Sequence, residues 1–172
     1  MDTRKQITTW VDTNREDLIE TANEIFKHPE ISLEEKVSSK ILADYLEKQG
    51  FTVTWGIAGF ETAFVAEWGY GKPVLGFLAE YDALPGLGQE TCSTRKAIEG
   101  PGHGCGHNLL GTACAGAAGA LKSWMETEEK EGTIRVYGCP AEEIVIGKIR
   151  MNEAGVFDDL SAAITWHPFD RN

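Results

Sequence analysis

The residues of this chain able to do chemistry fall in four short segments. They are Leu78-Ala79-Glu80-Tyr81-Asp82-Ala83-Leu84-Pro85, His103-Gly104-Cys105-Gly106-His107-Asn108, Pro140-Ala141-Glu142-Glu143 and Ile164-Thr165-Trp166-His167-Pro168. Cys105 and His107, two apart at the start of a predicted helix, offer a thiolate and an imidazole to zinc or manganese. A helix N-terminus favours anions, and a nearby cation lowers a thiol pKa. Glu142 and Glu143 are adjacent carboxylates that repel unless a cation or a substrate uses them. One can ligate a metal while the other acts as base on a water that the metal activates. Glu80 and Asp82 sit two apart on an extended segment, so both face one side. Either is a candidate ligand, or an acceptor that orients a ligating histidine. His167 ends an apolar run immediately before a proline.

Taken singly, each feature has a plain structural explanation. Cys-x-His can be a packed cysteine beside a surface histidine, Glu142-Glu143 a solvated acidic turn, and Glu80 with Asp82 ordinary acids before Leu84-Pro85-Gly86. His167 can be a packed or capping residue. His28 reads as helix-end chemistry and His103 as a loop residue. The conjunction argues for a metal centre, because open α/β sheets bind ligands at the carboxyl ends of their strands and all four segments fall at such ends.

The surrounding pattern supplies those strands. Thr13 with Glu16 reads as a capping box before a helix whose stripe is Leu18, Ile19, Ala22, Ile25 and Phe26, ended at His28-Pro29. Ser32 with Glu35 reads as the opening of a second helix with Val37, Ile41, Leu42, Tyr45 and Leu46 on its apolar face, closed by Gly50. Phe51 to Trp55 and Thr62 to Trp68 alternate as half-buried strands, and Val74 to Ala79 is apolar enough for a central strand. Glu80 to His107 lacks periodicity; structureless loops beyond about 12–15 residues are usually functional or disordered, and this one begins and ends with candidate ligands. A helix capped by Asn108 runs to about Glu126. Its Gly111, Gly116 and Gly119 imply close packing against other backbone, since glycine costs about 1 kcal/mol in a helix. Thr133 to Cys139 predicts a second central strand, Gly147 to Glu153 a short helix, and Ala162 to Trp166 a last strand. Alternation from residue 74 onward predicts crossover units and an α/β domain of three layers, with a largely parallel mixed sheet flanked by helices.

The 172 residues suffice for one domain with a real core. A hydrophobic fraction of 42% and a charged fraction of 25% are those of a water-soluble globular chain. The formal net charge of -11 argues against nucleic acid or an anionic membrane as partner. No secretory leader and no membrane-spanning run are read, so the four cysteines are expected as free thiols in the cytoplasm. There are no internal repeats and no interdomain linkers.

Asp82-Ala83-Leu84-Pro85, Gly102-His103-Gly104-Cys105-Gly106-His107-Asn108 and Pro140-Ala141-Glu142-Glu143 resemble, in order and spacing, the motifs of the aminoacylase/carboxypeptidase-type metallo-amidohydrolases. The likeness extends from the first helix to Trp166-His167-Pro168. It implies a metallo-exopeptidase-like catalytic domain and hydrolysis of the amide bond of N-acyl or N-aroyl amino acids, or of dipeptide-like substrates. It also implies two divalent metal ions, manganese or zinc. By the family pattern Cys105, His107, Glu143 and His167 match metal ligands. Glu142 matches the general base acting on a water between the metals, and Asp82 a catalytic residue that orients a ligand. Glu80 stands where more distant relatives place a metal-binding histidine, and is either a ligand or an outer acceptor.

Two departures from the pattern bear on activity. Ile144-Val145-Ile146 replaces the small residues usual after the glutamate pair, which would narrow the pocket or alter the loop. The resemblance also implies a longer protein, so residues 1–172 correspond to the N-terminal part of a catalytic domain. A dimerisation domain, a C-terminal remainder and a further ligating histidine then lie outside it. The isolated chain is expected to be inactive and to self-associate, or to bind a complementary segment, through an uncovered sheet edge. The alternative is a non-catalytic metal-binding remnant or interaction module of the same family.

Overall fold

The structure, a computed structural model, describes residues 2–169. Its elements in chain order are α1 (Thr3–Thr13), α2 (Arg15–Lys27), α3 (Lys36–Lys48), β1 (Thr52–Trp55), β2 (Phe64–Tyr70), β3 (Val74–Ala79), α4 (His107–Thr127), β4 (Gly132–Gly138), α5 (Gly147–Glu153) and β5 (Ala162–Ile164). A short 3-10 turn, Ile57–Gly59, lies between β1 and β2.

The five strands form one mixed sheet in the order β1-β2-β4-β3-β5. β3 pairs parallel with both β4 and β5, while β2 pairs antiparallel with β4 and β1 with β2. The expected crossover units are therefore present from residue 74 onward. The connection β3-α4-β4 moves one way across the sheet and β4-α5-β5 moves back past β3. Because such connections share one hand, this reversal puts α4 and α5 on opposite faces and makes three layers. It also brings the carboxyl ends of β3, β4 and β5 to one edge.

The larger core joins α2, α3 and α4 to one sheet face through Ile25, Leu42, Leu46, Phe64, Phe77, Leu110, Ile134 and Val136, all buried. A smaller cluster on the other face packs Tyr137, Cys139 and Met151 with Val156, Phe157 and Leu160. β4, at the centre, is buried on both sides for most of its length, as its apolar run requires. β5 is an edge strand with Ala162, Ala163 and Ile164 exposed.

Three local expectations are corrected, and one helix is added. Residues 3–13 form α1, which the polar look of the segment hides. Ile7, Trp10 and Val11 carry its helical spacing, and the Asp2 side chain caps it by accepting from the Arg4 N–H. With that helix in place, the Thr13 hydroxyl donates back to Thr9 O at 2.8 Å, so no Thr13–Glu16 capping box exists. Ser32 and Glu35 do not cap α3. Glu30 does, accepting from the N–H groups of Val37 at 3.0 Å and Ser38 at 2.8 Å. Nor does Asn108 cap α4: Gly106 is the N-cap, in a left-handed conformation at φ 73°, and Asn108 ties α4 to α2 by donating to Ala22 O at 3.1 Å.

The glycines of α4 bear out close packing with a refinement. Added Cβ atoms at Gly116 and Gly119 would meet side chains, Leu18 at 3.0 Å and Trp10 at 2.6 Å, whereas one at Gly111 would lie 2.5 Å from the backbone oxygen of Glu80. α4 thus touches the end of β3 through Gly111. Gly111→Ala should gain helix propensity of about 1 kcal/mol yet lose more to overpacking, about 1–3 kcal/mol. Urea denaturation should show a lower midpoint with an unchanged slope.

Candidate metal centre

The end of β3 leads directly into Glu80, Tyr81 and Asp82, which are 3%, 0% and 1% exposed. The acids, two apart, face the same side as the strand period requires. His107, the first residue of α4, lies fully buried between them. Its Nδ1 is 2.9 Å from Asp82 Oδ1, and its Nε2 is 3.1 Å from Glu80 Oε2 and 3.7 Å from Glu142 Oε2. An ionised carboxylate can only accept, so Asp82 sets the Nδ1–H tautomer and turns the Nε2 lone pair toward Glu80 and Glu142.

Glu142 and Glu143 sit in the turn after β4, which opens with Ala141 at φ 56° and folds back through Val145 N–H to Glu142 O at 2.7 Å. Gly147 closes it, because a Cβ there would overlap Pro140 O. The Glu143 N–H donates to Asp82 Oδ2 at 2.9 Å, and the Ser32 hydroxyl donates to the same oxygen at 2.8 Å. Asp82 thus holds both the histidine and the glutamate turn. Of the bulky residues of this turn, Ile144 and Val145 are exposed and Ile146 is half-buried. Val145 has φ 57°, a region hard on β-branched residues.

His167 follows β5, and its ring meets that of His107 edge-on with centroids 5.6 Å apart. Pro168 holds this approach by packing on Gly106, where any Cβ would lie 2.8 Å from its ring. Two three-donor groups result. Ligand atoms of Cys105, His107 and His167 lie within 4.8 Å of one another, and so do those of Glu80, His107 and Glu142. Glu143 lies beside the Cys105 thiol, with Oε1 3.8 Å from His107 Nδ1. Every expected site residue is therefore brought to one place. The other two histidines are engaged elsewhere: His28 bonds Glu24 O at its helix end, and His103 bonds Ile25 O from the loop, though it lines the same cavity as Cys105 and His167. Burial pushes the His103 pKa down to about 4.

The electrostatics fit a cation. His107 Nε2, Glu80 Oε2 and Glu143 Oε1 are buried without a hydrogen-bond partner among the described residues; unmet buried polar atoms of this kind call for an ion or a water. Burial works against the charge on His107, but Asp82, Glu80 and Glu143 overcome it and raise its pKa. Burial also works against ionised Asp82, and hydrogen bonds from His107, Glu143 N–H and Ser32 outweigh it and lower its pKa. Cys105 is pushed up to about 11 by burial and then by Glu143, Glu142 and Asp82. With only these neighbours its thiol stays protonated, and a divalent cation would reverse that.

One site residue carries no mark in the sequence. Lys148, at the start of α5, forms an ion pair with Glu80. Burial opposes its charge, and Glu80 more than compensates and raises its pKa. Nothing local in Gly147-Lys148-Ile149 singles it out, since the pairing is made across the sheet edge.

The sequence pattern of peptidase family M20/M25/M40 matches residues 76–171. The chain belongs to this family. It is 48% identical over 161 residues to a component of the p-aminobenzoyl-glutamate hydrolase of Escherichia coli, covering 92% of this chain and 34% of that protein. It is 32% identical to human Xaa-Arg dipeptidase, covering 94% of this chain and 38% of the relative. A solved family member, the Bacillus subtilis YXEP protein, described as a dinuclear metal binding peptidase, superposes with a TM-score of 0.78 at 28% identity, over 92% of this chain and 44% of that one. The chain thus spans 30–40% of the length of the curated relatives it matches. The M20 match begins inside β3 and takes in all four chemistry-bearing segments.

The four cysteines are free, Cys92 exposed, Cys105 half-buried, and Cys114 and Cys139 buried with pKa values pushed up to about 12 by burial. Iodoacetamide on metal-free folded protein should label Cys92 first. Labelling of Cys105 should rise about tenfold per pH unit toward its pKa of about 11, as the thiolate fraction does. Cys114 and Cys139 should react only on unfolding, read by peptide mass spectrometry.

Proposed function

We propose that the protein carrying this chain is a two-metal amidohydrolase cleaving the amide bond of N-acyl or N-aroyl amino acids, aminobenzoyl-glutamate among them, or of dipeptide-like substrates. The observation that carries the reading is the cluster of potential metal-donor atoms around His107, a buried imidazole nitrogen 3.1 Å from Glu80 Oε2 and 3.7 Å from Glu142 Oε2. The names of the M20 relatives, a hydrolase, a dipeptidase and a dinuclear peptidase, support the reaction class and the metal count.

In this reading Cys105, His107, Glu143 and His167 hold the ions. Glu80 joins His107 as a further donor or, paired to Lys148, remains an outer acceptor. Manganese or zinc fits the donor set, since carboxylates admit the first and thiolate with imidazole suits the second. When bound, such ions polarise an amide carbonyl and make water nucleophilic near neutral pH. The chain's own residues do the rest. Glu142 is 34% exposed at its side chain, against 13% for Glu143 and 4% for Glu80. It is therefore the carboxylate open enough to take a proton from water and release it to the leaving amine. Asp82 keeps His107 in one tautomer and raises its basicity as a ligand. Lys148 offsets the charge of Glu80, which limits repulsion in a site that also holds Asp82, Glu142 and Glu143.

The four free thiols fit a reducing compartment, the cytoplasm, and no helix among the described residues is long and apolar enough to cross a membrane. The exposed edge at β5, with Ile164 and Trp166 uncovered, suits self-association or pairing with a complementary segment. On this reading residues 1–172 are the N-terminal part of a catalytic domain, inactive alone, and a dimerisation domain and C-terminal remainder belong to the whole protein.

Chelated protein reloaded with manganese or zinc should take up metal stoichiometrically, and Cys105→Ala and Glu143→Ala should each abolish uptake, measured by elemental analysis. In the intact protein Glu142→Gln should keep its metal and lose about 10²–10⁴-fold in kcat on an N-acyl amino acid. Absence of specific metal in the wild type would favour the interaction module instead.

A further inference from the structure

We propose that Glu35 is a positioning residue that sets the Glu142–Glu143 turn, clamping it to the loop before α3. This rests on the metal-site reading of that turn. Glu35 is 0% exposed and has no ion-pair partner among the described residues. Its Oε1 accepts from the backbone N–H of Ala141 at 2.8 Å and of Leu33 at 2.8 Å, and its Oε2 from the Thr62 hydroxyl at 3.1 Å. A carboxylate is the side chain that can accept from converging N–H groups and a hydroxyl at once.

The helix it precedes does not need it. Glu35 stands at the N-cap of α3 without a side-chain capping bond, and Glu30 satisfies the N–H groups of the first turn. The carboxylate serves residues 33 and 141 instead. Both are non-glycine residues with positive φ, 74° at Leu33 and 56° at Ala141, a conformation that persists only where surroundings over-determine it. One residue beyond Glu142, the Glu143 N–H donates to Asp82, which also takes the Ser32 hydroxyl. The backbone of Glu142 is therefore hung between two buried carboxylates, Glu35 before it and Asp82 after it. Both carboxylates also grip the loop at residues 32–33. The Tyr81 hydroxyl, from between Glu80 and Asp82, donates to Thr62 O at 2.7 Å and closes the frame.

The test is cobalt(II) affinity and the visible absorption of the cobalt(II) form, in the intact protein, for Glu35→Ala, Glu35→Gln and Leu42→Ala. Glutamine keeps an oxygen for the two N–H groups, and its amide can donate to the Thr62 hydroxyl. The expectation is at least tenfold weaker binding and an altered spectrum for Glu35→Ala, with wild-type affinity within threefold and an unchanged spectrum for Glu35→Gln. Leu42→Ala, a core deletion in α3, should lower Tm and leave both readouts alone. Wild-type affinity in Glu35→Ala, or an equal loss in Leu42→Ala, overturns the clamp. If Glu35→Ala does not fold, Glu35→Asp, one methylene short of the two N–H groups, should show the same loss. Hydrogen exchange at the Ala141 amide, read without metal, separates the two claims. Lost protection in Glu35→Ala with no metal bound by the wild type sinks the metal reading alone, and unchanged protection sinks the clamp.

Discussion

The site depends on how Glu80, Asp82, Glu142 and Glu143 can be gathered around one buried imidazole. Charges removed from water are tolerated only when hydrogen bonds or opposite charges replace hydration. Asp82 meets that condition most fully, with His107, the Glu143 N–H and Ser32 as donors. Glu80 has Lys148. Glu143 Oε1 and His107 Nε2 lack such donors, a deficit that a cation would make good on the proposed reading. The rest of the chain is arranged to hold this imbalance open.

Backbone does most of the holding. The parallel set β4-β3-β5 delivers three strand ends to one edge, and α4 begins there at His107. Gly111 lets α4 approach the carbonyl of Glu80, and Gly106 accepts both a left-handed turn and the ring of Pro168. At these contacts a methyl group would displace a segment that carries a candidate ligand. Close approach is thus a property of the candidate site as much as of the core. The loop before α3 joins the same frame through Ser32, Leu33 and Glu35. A segment remote in sequence therefore fixes the geometry of residues 141–143.

Membership in the M20 family explains why the motifs were legible. Their order along the chain mirrors the order in which strands reach the site edge. Elements with strong periodicity, β3, β4 and the body of α4, were readable because apolar runs and helical spacing are local signals. α1 was not, since only Ile7, Trp10 and Val11 mark it among polar neighbours and its apolar face is satisfied by α4. The capping assignments of Thr13, Ser32, Glu35 and Asn108 failed for one reason: each side chain had a stronger partner elsewhere, and hydrogen-bonding residues do not advertise the direction in which they bond.

Residue types, spacing and composition by themselves determined the fold class, the acidic character and the candidate donors, Glu80, Asp82, Cys105, His107, Glu142, Glu143 and His167. Those properties follow from local periodicity and from chemistry carried by single side chains. Tertiary structure alone decided that Asp82 binds both His107 and the Glu143 backbone, that Lys148 answers Glu80, and that Glu35 grips Ala141 from 106 residues away. Such pairings depend on sheet order and on which buried groups find no other partner, and neither is written in any short stretch of chain.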